Sequence, residues 1–371
     1  MSPTSAINTS NVHAGGGLQA TCSFLAEAQP DLISGDWIAV LASEEVSQNL
    51  ASLSRDFVTI PNYEVLNVYG ALRGQSTLAR KLRKFRCVFT VFGPLYIWKP
   101  RFKSVVGFAQ AWIIYPQNEC YKRLPVLQRL KTRLKFWIQA QFFKRADVLV
   151  VELEHVKEGL VRELGFPAER IHVVHNCLSS LYAQPELWQD LTLSRSQGEL
   201  ALGFLGRNYI HKNTEIFPEI VSALKRNHGI SARFYVTFTE DEWRACSPEF
   251  RKACVNVGQL TVAQCPKFYR SLDAVVFPSL LECFSATPLE AMAMEKPLFA
   301  SDRPFNRDIC QGHAHYFDPL SPASAAAEIA KVFGGEGTNA AALKHARDHA
   351  FGFSSAKERA RKYLDLLTPN A

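Results

Sequence analysis

The chain has 371 residues, 47% of them apolar and 21% charged, and carries a formal net charge of +7. These are ordinary globular values and exclude a low-complexity or disordered chain, while the length favours two domains. No run of about 18 apolar residues occurs, so no membrane-spanning helix is expected.

Met1–Ser10 is polar, without the basic and apolar regions of a secretory signal. Nine cysteines are scattered with no Cys-x-x-Cys pair and no His/Cys cluster at zinc spacing. Such a set predicts reduced thiols in a cytoplasmic compartment.

Residues 5–8 form a weak first strand, followed by Asn11–Gly17 and then Leu18, Cys22 and Leu25 at helical spacing. A Gly-rich turn between strand and helix lets backbone approach a ligand, which makes Gly16 and Gly17 candidate binding positions. It is equally a tight turn of any α/β domain, and it lacks the full dinucleotide fingerprint. Trp37–Leu41, Phe57–Ile60 and Cys87–Phe92 are apolar runs of strand length, with a helical stretch over 77–85. Ser104–Phe108 is a further strand that ends at Ala109-Gln110-Ala111. Alternating strands and helices predict parallel, doubly wound sheets.

Charge is unevenly placed. Residues 65–146 hold seventeen Lys or Arg and one acid, Glu119. Within them, residues 121–145 carry eight basic residues and no acid, interleaved with Leu, Phe and Trp. That composition suits an amphipathic helix on anionic lipid. It suits as well a buried helix whose Lys and Arg reach solvent along one side. No nucleic-acid motif accompanies the charge.

Val148–Val151 is a strand, 155–164 a helix and Ile171–Val174 a strand, before His175-Asn176. His175 is given a linker role. From 177 to 199 the apolar pattern breaks up, which marks a linker between an amino-terminal domain (1–176) and a second domain (200–351). The second domain opens with the strand Ala201–Leu205, and Gly206, Arg207 and Lys212 follow it. A further strand is expected at Ala232–Thr237, and a strand and loop at Val255–Leu260. Thr261 and Gln264 form a capping pair, and Ser321-Pro322 opens a helix that stops at Gly334-Gly335. Ser354 is expected to cap a last helix (352–371) with Ala360, Tyr363, Leu364 and Leu367 on one face.

The densest signal lies at Phe277–Ala293. A buried strand runs into a small-residued loop, Cys283–Thr287, and a helix opens at Pro288. Ligands of open α/β sheets bind beyond the carboxyl ends of strands, and helix N-termini attract anions. Glu282 and Glu290 stand on either side of the loop. Thr287-Pro288-Leu289-Glu290 is also a good capping box. Cys283 reads as a small core residue.

This stretch resembles the retaining glycosyltransferases of family 4, of bacterial polysaccharide or lipopolysaccharide type. The resemblance rests on Pro278-Ser279, the eight-residue step from Glu282 to Glu290, Ala291-Met292-Ala293, and upstream Gly206-Arg207 with Lys212. Lys296–Asp302 and Tyr316–Pro319 extend it, so that residues 200–335 are well covered and 1–176 more loosely.

The resemblance implies a GT-B fold: two Rossmann-like doubly wound domains facing a central cleft, with the carboxy-terminal helix crossing back to the first. It implies a nucleotide diphosphate sugar as donor and a glycan or lipid-linked acceptor. It assigns Arg207 and Lys212 to the diphosphate and Glu282 to the donor sugar. The amides of Phe284, Ser285, Ala286 and Thr287 add to the phosphate site, Glu290 takes the ribose, and Gly206, Gly258 and Leu260 line the nucleotide. Many relatives carry a catalytic His near position 110, where this chain has Gln110. No Asp-x-Asp occurs, so neither a metal nor another cofactor is expected. A hexosyl or deoxyhexosyl transfer on a cytoplasmic membrane face is the leading expectation. A GT-B epimerase or phosphorylase, or a silent sugar-nucleotide binder, are the alternatives.

Overall fold

The computed structural model describes residues 3–34, 37–53, 60–336 and 339–368. It divides into two compact units. One takes the residues up to Pro116, Pro125–Cys177 and the stretch from Ser354; the other takes Gln117–Leu124 and Leu178–Phe353.

The first unit holds β1 (Ser5–Thr9), β2 (Ile38–Ala42), β3 (Tyr63–Val65), β4 (Cys87–Thr90), β5 (Lys103–Gly107), β6 (Val148–Val151) and β7 (Ile171–Val173). They form one sheet in the order β3-β2-β1-β4-β5-β6-β7, all parallel. The second unit holds β8 (Leu200–Phe204), β9 (Ala232–Val236), β10 (Cys254–Asn256), β11 (Ala274–Phe277), β12 (Leu298–Ser301) and β13 (His315–Phe317). Their order is β10-β9-β8-β11-β12-β13, again all parallel. Each unit is therefore a doubly wound α/β sheet, as the alternation of elements predicts. The central strands are buried on both faces, which is why they read as continuous apolar runs.

In each sheet the strand order reverses at one place. β1 lies between β2 and β4, and β8 between β9 and β11. Loops leaving the carboxyl ends there splay apart and open a crevice.

The expected strand Phe57–Ile60 lies, apart from Ile60, outside the described residues. The strand beside β2 is β3, whose residues are partly or fully exposed, so no apolar run announces it. Helices Glu44–Leu53 and Ala340–Gly352 escaped the sequence reading, as did the shorter Glu240–Arg244, Pro248–Ala253 and Pro304–Cys310. The basic segment is not one helix. Pro125 breaks it: the turn Cys120–Arg123 packs in the second unit, and the helix runs Val126–Phe143 in the first. There Arg123 pairs with Glu215 and donates to Asn213 Oδ1 at 2.7 Å, while Glu119 pairs with Arg303 at 2.6 Å.

The last helix, Ala356–Asp365, is capped by Ser355 and not by Ser354, whose hydroxyl donates to the His175 carbonyl. Its Tyr363 ring meets Phe24 and Phe89 at centroid distances of 5.0 and 4.9 Å, inside the core of the first unit. The stretch 178–199 packs into the second unit. Gln189 N donates to the Ala263 carbonyl, and Arg195 pairs with Asp273 at 2.5 Å. Among the described residues no helix is long and apolar enough to cross a membrane.

Candidate active site

Candidate residues of the second unit gather at the carboxyl ends of β8, β9, β10 and β11. β8 stops at Phe204, and the chain turns through Gly206 and Arg207 to the short 3-10 turn Ile210–Lys212. β11 stops at Phe277 and leads into the buried loop Pro278–Ser285. The two loops are stitched together by backbone. Leu280 N donates to the His211 carbonyl at 2.7 Å, and Asn213 Nδ2 donates to the carbonyls of Pro278 (3.3 Å) and Pro319 (2.8 Å). Asn213 is fully buried in the left-handed region at φ 57°, a conformation that Asn tolerates better than most residues.

This stitching brings Lys212 Nζ to 2.7 Å from Glu282 Oε1. Both side chains are largely buried, with 15% and 11% of their surface exposed. Beside them His211 Nε2 stands 4.0 Å from the same carboxylate oxygen. Burial pushes the His211 imidazole below its ordinary value, and Lys212 adds to that against the pull of Glu282, so the ring is neutral near pH 7.

The family model described as "Glycosyl transferases group 1" matches residues 199–334, and the one described as "Glycosyltransferase Family 4" matches residues 48–179. The chain is a GT-B glycosyltransferase of the group 1 and family 4 type. Among solved structures it is similar to Anabaena HepE, described in complex with UDP and glucose, with TM-score 0.70 and 14% identity over 98% of this chain and 99% of that one. It is similar also to a glycosyltransferase from Rickettsia africae (TM-score 0.70, 14% identity, 99% and 98% covered). WaaG, described as a glycosyltransferase of lipopolysaccharide biosynthesis, gives TM-score 0.67 at 13% identity, with 98% and 100% covered. At these identities the likeness speaks for the fold. The comparison with curated protein sequences gives no match.

In this glycosyltransferase Arg207 is half exposed and offers its Nε edge to Glu242, at 2.9 Å from Oε1 and 3.0 Å from Oε2. Glu242 is fixed from behind by Asn208 N and by Thr239, whose amide and hydroxyl both donate to it. Burial raises the Glu242 carboxyl, but the bonds from Thr239, Arg207 and Asn208 outweigh that and hold it below the ordinary range. Glu242 is a candidate site residue, through its pair with Arg207, that the sequence reading missed. Its own signal is the capping box Thr239–Glu242, and nothing local announces the partner 35 positions upstream.

Glu290 sits in the first turn of helix Thr287–Ala293, and the expected capping box does not form. Ala286 is the N-cap, Thr287 is already helical, and its hydroxyl donates to the Leu205 carbonyl. Glu290 instead accepts from the fully buried Tyr269 hydroxyl at 2.8 Å. Burial raises its carboxyl above the ordinary value, and Tyr269 and Tyr182 pull it back.

Ser285 and Thr287 are buried, and Phe284 and Ala286 partly exposed, along the loop between the two glutamates. Gly258 follows β10 at φ 84°, a left-handed conformation with open space where a Cβ would stand; Leu260 is two residues on and partly exposed. Gly16 and Gly17 belong to the first unit, where they open helix Gly15–Ser34 beyond β1. Gln110, also of that unit, precedes the turn Ala111–Ile114. His175 accepts from Ser354 and sets Nδ1 at 2.8 Å from the Glu152 carbonyl. Among the described residues no three His, Cys, Asp or Glu side chains are grouped as a metal site.

Proposed function

We propose that this glycosyltransferase moves a hexosyl or deoxyhexosyl group from a nucleotide diphosphate sugar to a glycan or lipid-linked acceptor. The transfer retains configuration and uses neither metal nor cofactor. The observation that carries this reading is the stitching of the turn Arg207–Asn213 to the Pro278–Ser285 loop, which holds Glu282, at the switch point of the second sheet.

When the bond from the anomeric carbon to the β-phosphate breaks, its electron pair stays on the phosphate oxygen. Fixed donors aimed at that charge lower the barrier. Lys212 stands in an ion pair with Glu282; Arg207 gives Nε–H to Glu242 and keeps the four N–H groups on its terminal nitrogens. Glu282, held by Lys212, accepts from hydroxyls of the donor sugar. With front-face attack the acceptor oxygen bonds to the anomeric carbon and passes its proton to the departing phosphate oxygen. No side-chain base is then required, which suits Gln110. HepE, whose structure is described with UDP and glucose, supports a nucleotide sugar as donor.

A membrane-held acceptor is supported by helix Val126–Phe143, which is amphipathic in the wrong sense for a free surface. Phe136, Gln139, Ala140 and Phe143 face the protein. Leu127, Leu130, Leu134 and Trp137 form an exposed stripe, 58–66% accessible. Exposed Lys131, Arg133 and Lys135 flank it. A surface helix normally shows water its polar face. An apolar stripe edged with cations matches the boundary of an anionic bilayer, each cation adding roughly 1 kcal/mol of attraction.

Arg207→Ala tests the chemistry: turnover should fall by about 10²-fold or more, as loss of a charge partner for the transition state does. Near-normal turnover by a folded variant removes Arg207 from the site. Activity should also survive excess chelator; loss restored by magnesium or manganese contradicts the metal-free reading.

A further inference from the structure

Three carboxylates stand in the donor site of the second unit, and they are held in two different ways. Glu282 and Glu242 are met by the cations Lys212 and Arg207. Glu290 is met by phenols. Tyr269, on helix Cys265–Arg270, donates to Oε2 at 2.8 Å, and its side chain is fully buried. The Tyr182 hydroxyl is also buried, and its ring stands 6.3 Å from that of Tyr269; burial first, and the Glu290 carboxylate second, hold this phenol well above its ordinary range. Tyr182 comes from the stretch between β7 and β8, so two separate segments converge on one carboxylate.

Neutral and cationic partners have different consequences. A cation cancels the charge of a carboxylate and competes with any other donor. A phenol gives one hydrogen bond and leaves the negative charge, while an ionised carboxylate has about four acceptor sites. A carboxylate fixed by tyrosines is therefore oriented yet still able to accept from two neighbouring hydroxyls. Burial raises the Glu290 carboxyl and favours the protonated form, which accepts poorly; the Tyr269 bond opposes that.

We propose that Tyr269, seconded by Tyr182, is a positioning residue that sets Glu290 to bind a vicinal diol, and so makes the site select a ribonucleotide over its deoxy counterpart. This rests on the reading that Glu290 meets the nucleotide ribose. Discrimination of this type is large because a site built to receive a hydroxyl is left unpaired by the analogue lacking it.

The test is calorimetric titration of the full chain with UDP, ADP and GDP and with the 2′-deoxy form of each. Wild type should prefer one ribonucleotide over its deoxy form by roughly tenfold or more. Tyr269→Phe keeps the ring and removes the hydroxyl. It should bring that preference down to about twofold by weakening the ribonucleotide, with the deoxy form bound as before. Tyr182→Phe should lower the preference in part, and it carries the test if Tyr269→Phe does not fold. A folded variant of either kind with the wild-type preference overturns the role of that tyrosine while leaving the donor site standing. Wild type that binds a nucleotide without ribose preference, or binds none, overturns the ribose reading of Glu290 itself.

Discussion

Glu242 illustrates what a single side chain contributes here. It anchors one edge of Arg207 and is itself anchored by Thr239 and Asn208. Glu242→Gln separates orientation from charge. Gln still serves the capping box, so stability should change little. Removing a negative charge beside Arg207 should leave nucleoside diphosphate binding unchanged or tighter. Turnover should nonetheless fall roughly tenfold, because a loosened guanidinium no longer meets the developing charge. A fall in both, or in neither, contradicts the positioning role. Arg207, Lys212 and the Glu282–Glu290 step were legible because they lie within short motifs. Glu242, Tyr269 and Tyr182 were not, because each reaches its partner only after β8, β9 and β11 have aligned; sequence spacing carries no trace of that.

Elements show the same limit in another form. The inner strands β8, β9 and β11 of the second sheet were legible to within a residue or two, since burial writes them as apolar runs; the edge strands β10 and β13, partly exposed, are not written so. Helix starts were less so. Thr287–Glu290 has the composition of a capping box, yet Leu205 takes the Thr287 hydroxyl and Tyr269 takes Glu290. Capping boxes form instead at Thr239–Glu242 and, as the sequence predicts, at Thr261–Gln264. Thr239→Ala should cost about 1 kcal/mol, the usual loss for an N-cap, and should reproduce part of the Glu242→Gln defect in turnover. Denaturant midpoints and initial rates check both, and a stability loss with full turnover would confine Thr239 to capping. Helix Val126–Phe143 was legible as basic and apolar, but which face it buries is a tertiary fact. Arg129 has its Nε buried, so it is a poor choice for charge removal. Lys131, Arg133 and Lys135 to Gln, or Leu130, Leu134 and Trp137 to Ser, should each release the protein from anionic vesicles. Wild-type binding should weaken in high salt as screening shortens. Sedimentation of both variants with anionic vesicles would contradict the membrane reading.

For the whole molecule, the charge asymmetry read from the sequence survives as an exposed basic, apolar-striped helix, while the net +7 says little about the fold. The first unit contains one buried acid whose titration should be visible in stability. Burial pushes the Glu152 carboxyl up to about 7, against the pull of Asn176, which donates to it at 2.8 Å, and of Arg359. The folded state thus holds this proton more tightly than the unfolded chain. Its contribution is fully present below about pH 4.5 and is lost as pH rises through about 7. Glu152→Gln, which keeps an acceptor for Asn176, should flatten that part of the profile; urea midpoints between pH 4.5 and 8 report it, and an unchanged slope excludes Glu152 as the source. The central claim is that the second unit holds a nucleoside diphosphate through Arg207 and Lys212, and calorimetric titration tests it most directly. At least one of UDP, ADP and GDP should bind wild type, and Arg207→Ala or Lys212→Ala should weaken that binding by roughly tenfold or more. Binding of none of the three, or equal binding by folded variants, would contradict the account.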